Sequence, residues 1–474
     1  MLQLVFSHLE FHDLLICRLV CKLWNTETSF CLQTKTTVQF KSTTHIASFN
    51  QLFKTSFDLE LSNYDTFAHT DVALNFQKPV TDPNCSSISE FFTTFKWCIH
   101  HVTLTIQGEV DLMIFQTLSN LPQLSSLALN IIHIPIDISD FYIANSVFVS
   151  LTKLSIEVSS MSLTEQRAFD FLRQLLSSSP YLQLLTNAHK KHRITSFMKE
   201  FLQSLLLSCE SNCLVNLCRP EFPFKADFNV LKCMASKPWT CSLVYLHLEF
   251  WSKSMENENH LQLVGLLNQL LCKFSATLNF LRIEFPAERR LAVTFTFPCP
   301  MVSLKSLVLV EFEGSVCQII SPYFTPVLER LEVSQMDLEL FFPKNVEIPF
   351  QLCSVTSLTL DFCLHQSPRV IRVFGNMCPV IRKLRATHVT DGVVRAIFKS
   401  FGHVQSLVLH GDEITDSGIC GLTIDDINVD EMAEKWEKVQ SLRKYAYIGD
   451  LKSNFSILVL SRRHCLVKNV LWFC

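Results

Sequence analysis

The chain has 474 residues, too many for one ordinary hydrophobic core but suited to a repeat array, in which each repeat buries its apolar side against its neighbours. Lys and Arg number 41 against 44 Asp and Glu, a net charge of −3, so no basic field points to nucleic acid or an anionic membrane. Hydrophobic residues reach 48%, yet the longest stretch without a charged residue, Leu112 to Ile136, contains Gln116, Asn120, Pro122, Gln123, Asn130 and Pro135 and does not read as a bilayer span.

The N-terminus, MLQLVFSHLEFHDLL, lacks the basic segment and small-residue cleavage site of a secretory signal. The expectation is a cytoplasmic or nuclear protein whose 19 cysteines stay reduced; those at apolar positions, such as Cys17, Cys21, Cys233 and Cys363, are expected as small buried hydrophobes. Leu2, Val5, Phe6 and Leu9 fall at i, i+3, i+4 and i+7, the apolar stripe of a helix. Asp13 is placed to cap a second helix through Leu14, Leu15, Arg18 and Leu19, and Val20–Trp24 reads as a third short helical segment. On spacing alone this is a small helical cap shielding the open end of a repeat array.

The text of Leu2–Asn25 is more specific than its spacing. Asp13–Leu14–Leu15, Arg18, Val20–Cys21–Lys22 and Trp24 closely resemble the signature of the F-box, a three-helix module that in its family docks on the Skp linker subunit of a cullin–RING ubiquitin ligase. The resemblance implies that Leu14, Leu15, Val20, Cys21 and Trp24 serve docking and module packing. F-boxes open with Leu-Pro and an acidic residue, upstream of Met1 here, so the module is expected to be truncated at its first turn.

Farther on, one phrase recurs: an apolar residue, two variable ones, Leu, one variable, an apolar residue. It reads LNFLRI at Leu278–Ile283, LKSLVL at Leu304–Leu309, LERLEV at Leu328–Val333, VTSLTL at Val355–Leu360, IRKLRA at Ile381–Ala386 and VQSLVL at Val404–Leu409. The central leucines Leu281, Leu307, Leu331, Leu358, Leu384 and Leu407 are separated by 26, 24, 27, 26 and 23 residues, within the leucine-rich-repeat range. Looser copies surround Leu127, Leu154 and Leu246. Within each phrase the alternation is that of a strand with one buried face, and helical spacing follows at Phe169–Leu176, Phe197–Leu207, Phe228–Met234, Leu261–Phe274, Arg369–Phe374 and Val394–Phe398. The expected fold is α/β, a right-handed leucine-rich-repeat horseshoe with parallel strands on the concave side and helices on the convex side. The expected divisions are 1–30 for the F-box, 31–100 for a linker and degenerate first repeats, 101–422 for the repeats and 423–474 for a C-terminal cap or tail.

The last repeats, Val389–Leu422, resemble the cysteine-containing leucine-rich repeats of F-box proteins. Thr390–Asp391 and Thr415–Asp416 open their helices, and Cys363 falls where that family places the buried residue of the strand-to-helix turn, with Asp412 replacing it in the final repeat. Beyond them, the acidic run Asp425, Asp426, Asp430, Glu431, Glu434 and Glu437 followed by Lys438, Arg443 and Lys444 suggests a helix over Val429–Tyr445, and FSILVL after Asn454 is strand-like.

Chemistry is hard to find. Phosphate-cradling glycine motifs and GxSxG are absent from the sequence. His189 and His192 with Cys209 and Cys213 do not match a known zinc spacing, and His100–His101 reads as surface. The expectation is therefore no catalytic residue, no metal and no cofactor. The reading is a substrate-recognition adaptor of an SCF-type ubiquitin ligase, binding a Skp-type linker and an unknown protein substrate, with neither nucleic acid nor membrane as partner. A free-standing repeat scaffold or inhibitor with a non-docking F-box remnant, and a leucine-rich-repeat regulator of a GTPase, remain as rivals. Residues alternating with the leucines face the open side of the sheet, and among them Arg282, Arg330, Lys383 and Arg385 are the candidate substrate contacts.

Overall fold

The structure, a computed structural model, describes residues 2–9, 11–17, 19–35, 37–58, 71–75, 85–106, 109–132, 147–158, 165–187, 196–207, 216–236, 243–250, 260–285, 297–311, 320–334, 350–361, 367–410, 443–446 and 457–461. It forms two compact units, Met1–Phe222 with Pro238–Cys241, and Pro223–Lys237 with Ser242–Cys474. Each unit carries its own sheet of mainly parallel strands with helices between them. Among the described residues no helix is long and apolar enough to cross a membrane.

The first unit opens with three helices, α1 (Leu2–Phe6), α2 (Phe11–Cys17) and α3 (Lys22–Lys35). Asp13 lies inside the first turn of α2 rather than capping it, where a carboxylate still favours the helix N-terminus. The third helix is longer than the Val20–Trp24 segment expected from sequence, and Val20 sits in the turn before it. A seven-stranded sheet follows: β1 (Thr37–Phe40), β2 (Asp71–Leu74), β3 (His101–Ile106), β4 (Ser126–Ile131), β5 (Lys153–Val158), β6 (Leu184–Asn187) and β7 (Arg219–Pro220), all parallel and in sequence order. Parallel neighbours need crossovers. These include α4 (Thr43–Asp58), α5 (Cys85–Thr94), α6 (Glu109–Ser119), α7 (Glu165–Ser177) and α8 (Ser196–Leu207). The charge-free stretch 112–136 thus holds most of α6 and all of β4. The sheet stops at β7, where Pro220 supplies no N–H to carry the ladder further.

The second unit runs β8 (Phe224–Ala226), α9 (Phe228–Ser236), β9 (Tyr245–Phe250), α10 (His260–Phe274), β10 (Phe280–Glu284), β11 (Ser306–Val310), β12 (Arg330–Ser334) and β13 (Ser357–Asp361). It continues with α11 (Pro368–Met377), β14 (Lys383–Ala386), α12 (Asp391–Ser400) and β15 (Ser406–His410). Strands β8 to β15 are parallel and in register, so Leu246, Leu281, Leu307, Leu331, Leu358, Leu384 and Leu407 stand in one row across the sheet. Every one is at most 3% exposed. A second buried row, Leu248, Ile283, Leu309, Val333, Leu360, Ala386 and Leu409, lies two residues on, as the strand period requires.

Register is fixed just before most of the parallel strands. The carbonyl of Lys305 accepts from both Glu329 N and Arg330 N, at 2.9 Å each, and the carbonyl of Glu329 accepts from Thr356 N and Ser357 N. Val244, Asn279, Thr356 and Arg382 repeat the arrangement in this unit, as do His100, Ser125, Thr152 and Gln183 in the first. Hydroxyls reinforce several of these acceptors, among them Thr152 Oγ1 to Ser125 O and Thr356 Oγ1 to Glu329 O.

Helix α11 begins on Ser367, whose Oγ accepts from Arg369 N, with Pro368 at its first turn. Its Gly375 lies against the end of α12: a Cβ there would stand 2.5 Å from Ser400 Cβ, so this helix pair needs glycine at that point. Thr390 occupies the N-cap position of α12, but its side chain makes no capping bond. The Val429–Tyr445 helix is not what forms at its far end, because Arg443–Ala446 is strand β16. Strand β17 (Ile457–Ser461) pairs antiparallel with both β15 and β16, which gives the FSILVL text a place at the sheet edge. Cys17 and Cys233 are half-buried and Cys21 is exposed, against the expectation of buried hydrophobes. Cys363, Asp412, Thr415–Asp416 and the His189–Cys213 group lie outside the described residues.

The leucine row yields a direct test. Leu358→Asp should bury an unpaired carboxylate and cost several kcal/mol, roughly 3 or more, whereas Gln351→Asp at an exposed position before the strand should stay within about 0.5 kcal/mol. Chemical denaturation of both variants checks the register; equal losses would contradict it.

Candidate functional site

Two surfaces merit description, one in each unit. In the N-terminal module Phe6, Leu14, Cys31 and Leu32 form a small buried core, with Leu2, Leu9, Cys17 and Trp24 packed against it. The rings of Phe6 and Trp24 meet edge to face, centroids 5.2 Å apart. Trp24 is further tied into α3 by Thr28 Oγ1, which donates to the Trp24 carbonyl at 2.5 Å. Inward-facing residues of α1 to α3 thus account for the packing, and what they leave outside is unusually apolar.

Ile16, Leu19, Val20 and Leu23 are exposed, Leu19 at 86%, and Cys21 lies open between them. Val5 is exposed as well and so does not join the α1 core stripe. Apolar side chains exposed together in such a short ridge suit contact with another molecule. The five residues singled out from sequence therefore separate. Leu14 and Trp24 belong to the interior of the module, Val20 and Cys21 to its outside, and the Leu15 side chain lies outside the described residues. Ile16, Leu19 and Leu23 were missed, although 16, 19, 20 and 23 follow the i, i+3, i+4, i+7 spacing; the turn at Leu19–Val20 breaks the helix that this spacing would suggest.

The second surface is the face of the second sheet opposite its leucine rows. Across β9 to β15 it carries Tyr245, Phe280, Ser306, Arg330, Ser357, Lys383 and Ser406 in one row, and His247, Arg282, Val308, Glu332, Thr359, Arg385 and Val408 in the next. Tyr245 and Phe280 stack in parallel, centroids 4.3 Å apart. Beside them runs a chain of hydrogen bonds and ion pairs. His247 Nε2 is 2.9 Å from Glu284 Oε1, Arg282 Nε donates to the same oxygen at 2.5 Å, and Arg282 Nη1 lies 3.8 Å from Glu332 Oε1. Arg330 Nη2 closes the chain on Glu332 Oε2 at 2.8 Å.

Because Arg282, Val308 and Glu332 are register partners on β10, β11 and β12, the Arg282–Glu332 pair passes over Val308. That explains why a valine on the open face is only 1% exposed. Ser306, on the same face, also has its Oγ covered, with no hydrogen-bond partner among the described residues.

Burial pushes the His247 imidazole below its ordinary value, and its hydrogen bond to Glu284 only partly offsets this. Burial works to raise the Glu284 carboxyl, but His247 and Arg282 outweigh it and hold the group at about 2.

The structure therefore gives the four basic candidates different standing. Arg282 and Arg330 are engaged by Glu284 and Glu332, while Lys383 and Arg385 are exposed and have no ion-pair partner among the described residues. Asp361, on the adjacent strand, accepts from Thr387 Oγ1 at 2.6 Å rather than pairing with Arg385. Among the described residues no group of His, Cys, Asp and Glu is arranged to hold a metal ion. His101 Nε2 is 3.9 Å from Asp71 Oδ1, a contact open to solvent.

The F-box domain family model matches residues 1–27, so an F-box domain occupies the three-helix module. No curated protein matches the chain. Among solved structures, the crystal structure of the Rad7 and Elc1 complex in yeast matches with a TM-score of 0.35 and 13% identity, covering 84% of this chain and 92% of that one.

The ion-pair chain has a signed pH dependence. Glu284 is held at about 2 in the fold against 4.5 unfolded, so its contribution is fully present above about pH 4.5 and is lost as pH falls toward 2. Glu284→Gln should cost about 1–3 kcal/mol at pH 7, with the difference from the parent shrinking steadily below pH 4.5. Urea unfolding between pH 7 and pH 3 measures it; a difference independent of pH would refute the ion-pair account.

Proposed function

We propose that the chain is the substrate-recognition adaptor of a cullin–RING, SCF-type ubiquitin ligase. The F-box at residues 1–27 carries the reading, and the exposed apolar ridge on its surface supports it. On this reading the ridge Ile16–Leu19–Val20–Leu23 docks the Skp-type linker, with Cys21 at its centre, while Leu14 and Trp24 keep the ridge in shape from beneath. Strand–helix repeats of leucine-rich type, built as a right-handed horseshoe, hold a protein substrate.

The chain contributes proximity rather than chemistry. Ubiquitin transfer to a substrate lysine belongs to the conjugating enzyme recruited elsewhere in the assembly, and holding the substrate nearby raises its effective concentration. A cytoplasmic or nuclear location goes with this role.

The experiment is association with a Skp-type linker by the full chain and two kinds of variant. Leu19→Asp with Val20→Asp should weaken linker binding by about 2 kcal/mol or more while leaving thermal stability nearly unchanged, since both residues are already exposed. Trp24→Ala should instead lower the stability of the module by about 2–4 kcal/mol and weaken docking as a consequence. Absence of linker binding by the parent chain would leave the scaffold reading in its place. Binding that survives both ridge substitutions would move the docking surface elsewhere.

A further inference from the structure

On the open face of the second sheet, charge is treated in two ways. Each basic side chain on β10 to β12 and the turns leading into them has a carboxylate within 4.0 Å: Arg282 has Glu284 and Glu332, Lys305 has Glu329, and Arg330 has Glu332. The turn into β14 and β14 itself present Arg382, Lys383 and Arg385, all exposed and none with a carboxylate partner among the described residues. The carboxylate nearest in the register, Asp361, accepts from Thr387 Oγ1 and lies within 4.0 Å of none of these three bases. Besides Asp361 at the end of β13, the described side chains of the flanking strands offer only hydroxyls and apolar groups on this face, with Ser357 and Thr359 on β13 and Ser406 on β15.

A fold that neutralises its bases so regularly over three strands and omits this at the next basic strand leaves an electropositive strip aimed at solvent. Lys383 and Arg385 share a face two residues apart, about 6.6 Å along the strand. Charges spread in this way do not converge on one phosphate; they match carboxylates repeated along an extended chain.

We propose that Arg382, Lys383 and Arg385 bind an extended acidic segment, rich in Asp and Glu, of a partner protein, laid on the open face between β13 and β15. The inference deepens the adaptor reading by naming the substrate class, but the binding itself does not require the F-box. The paired half of the face, from Tyr245 to Glu332, serves as a rigid neutral border that confines the segment to the β14 side.

The test uses the full chain and a fluorescein-labelled peptide of about ten residues alternating Glu and Ser, followed by fluorescence anisotropy. The peptide should bind, and binding should weaken strongly as salt is raised from about 0.05 to 0.5 M. Lys383→Gln with Arg385→Gln should weaken binding about tenfold or more. Lys305→Gln, which removes a base already paired with Glu329, should change it less than about twofold.

Lys383→Glu with Arg385→Glu should lose the acidic peptide and gain an otherwise identical Lys–Ser peptide, a reversal that an unfolded variant cannot produce. Leu19→Asp with Val20→Asp should leave peptide binding untouched, so failure of linker docking and failure of this proposal are read separately. Equal losses at Lys305 and at the Lys383–Arg385 pair would overturn the assignment, as would binding confined to a peptide carrying a single phosphoserine. Binding seen only after Asp425, Asp426 and Asp430 are changed to Asn would overturn the partner assignment in favour of the chain's own acidic segment.

Discussion

A single backbone oxygen before most of the parallel strands, accepting two N–H groups from the following repeat, holds both sheets in register. Two adjacent amides pointing at one carbonyl leave the incoming chain little choice of position: a slip by one residue would break both bonds at once. The same slip would turn the leucines outward, since strand side chains alternate between faces. Backbone and side-chain terms therefore select the same register, and neither needs the connecting segments to have any particular length. This is why central leucines spaced by 23 to 27 residues still stand in one straight row.

The open face inherits its chemistry from that register. Arg282 and Glu332 are two strands apart and meet only because Val308 lies between them in the same row. Their pair lies across the valine, so an apolar residue on the wrong side of the sheet is still kept dry. The F-box shows the converse arrangement, in which a well-filled interior of Phe6, Leu14 and Trp24 holds Leu19 and Val20 where nothing in the module covers them. One surface has its charges matched internally and the other leaves apolar side chains uncovered by its own module.

Much of this was legible in the chain alone. The leucine phrase located β10 to β15 because burial on one face imposes a period of two and stacking imposes a recurring phase. The short text around Asp13–Trp24 identified the module because few sequences combine those residues in that order. What escaped were relations between elements. The split of five F-box residues into packing and exposed sets depends on how three helices lean together. The pairing of Arg282 and Arg330 depends on carboxylates supplied by the same strand or by one two strands away, which a sequence window cannot display. The antiparallel return of Ile457–Ser461 onto β15 escaped for a similar reason: it has no repeat phase, and its partner lies some fifty residues upstream.

The doubly accepting carbonyls also determine how the sheets respond to mechanical load. Pulling one strand sideways out of the second sheet concentrates force on a single pair of strands at a time, and the bonds give way in succession, as in opening a zip. Pulling along the strands loads the bonds of a pair together and meets far greater resistance. A ligand lying along β14 would pull in the strong direction, whereas a force peeling the sheet from its edge would detach one repeat after another.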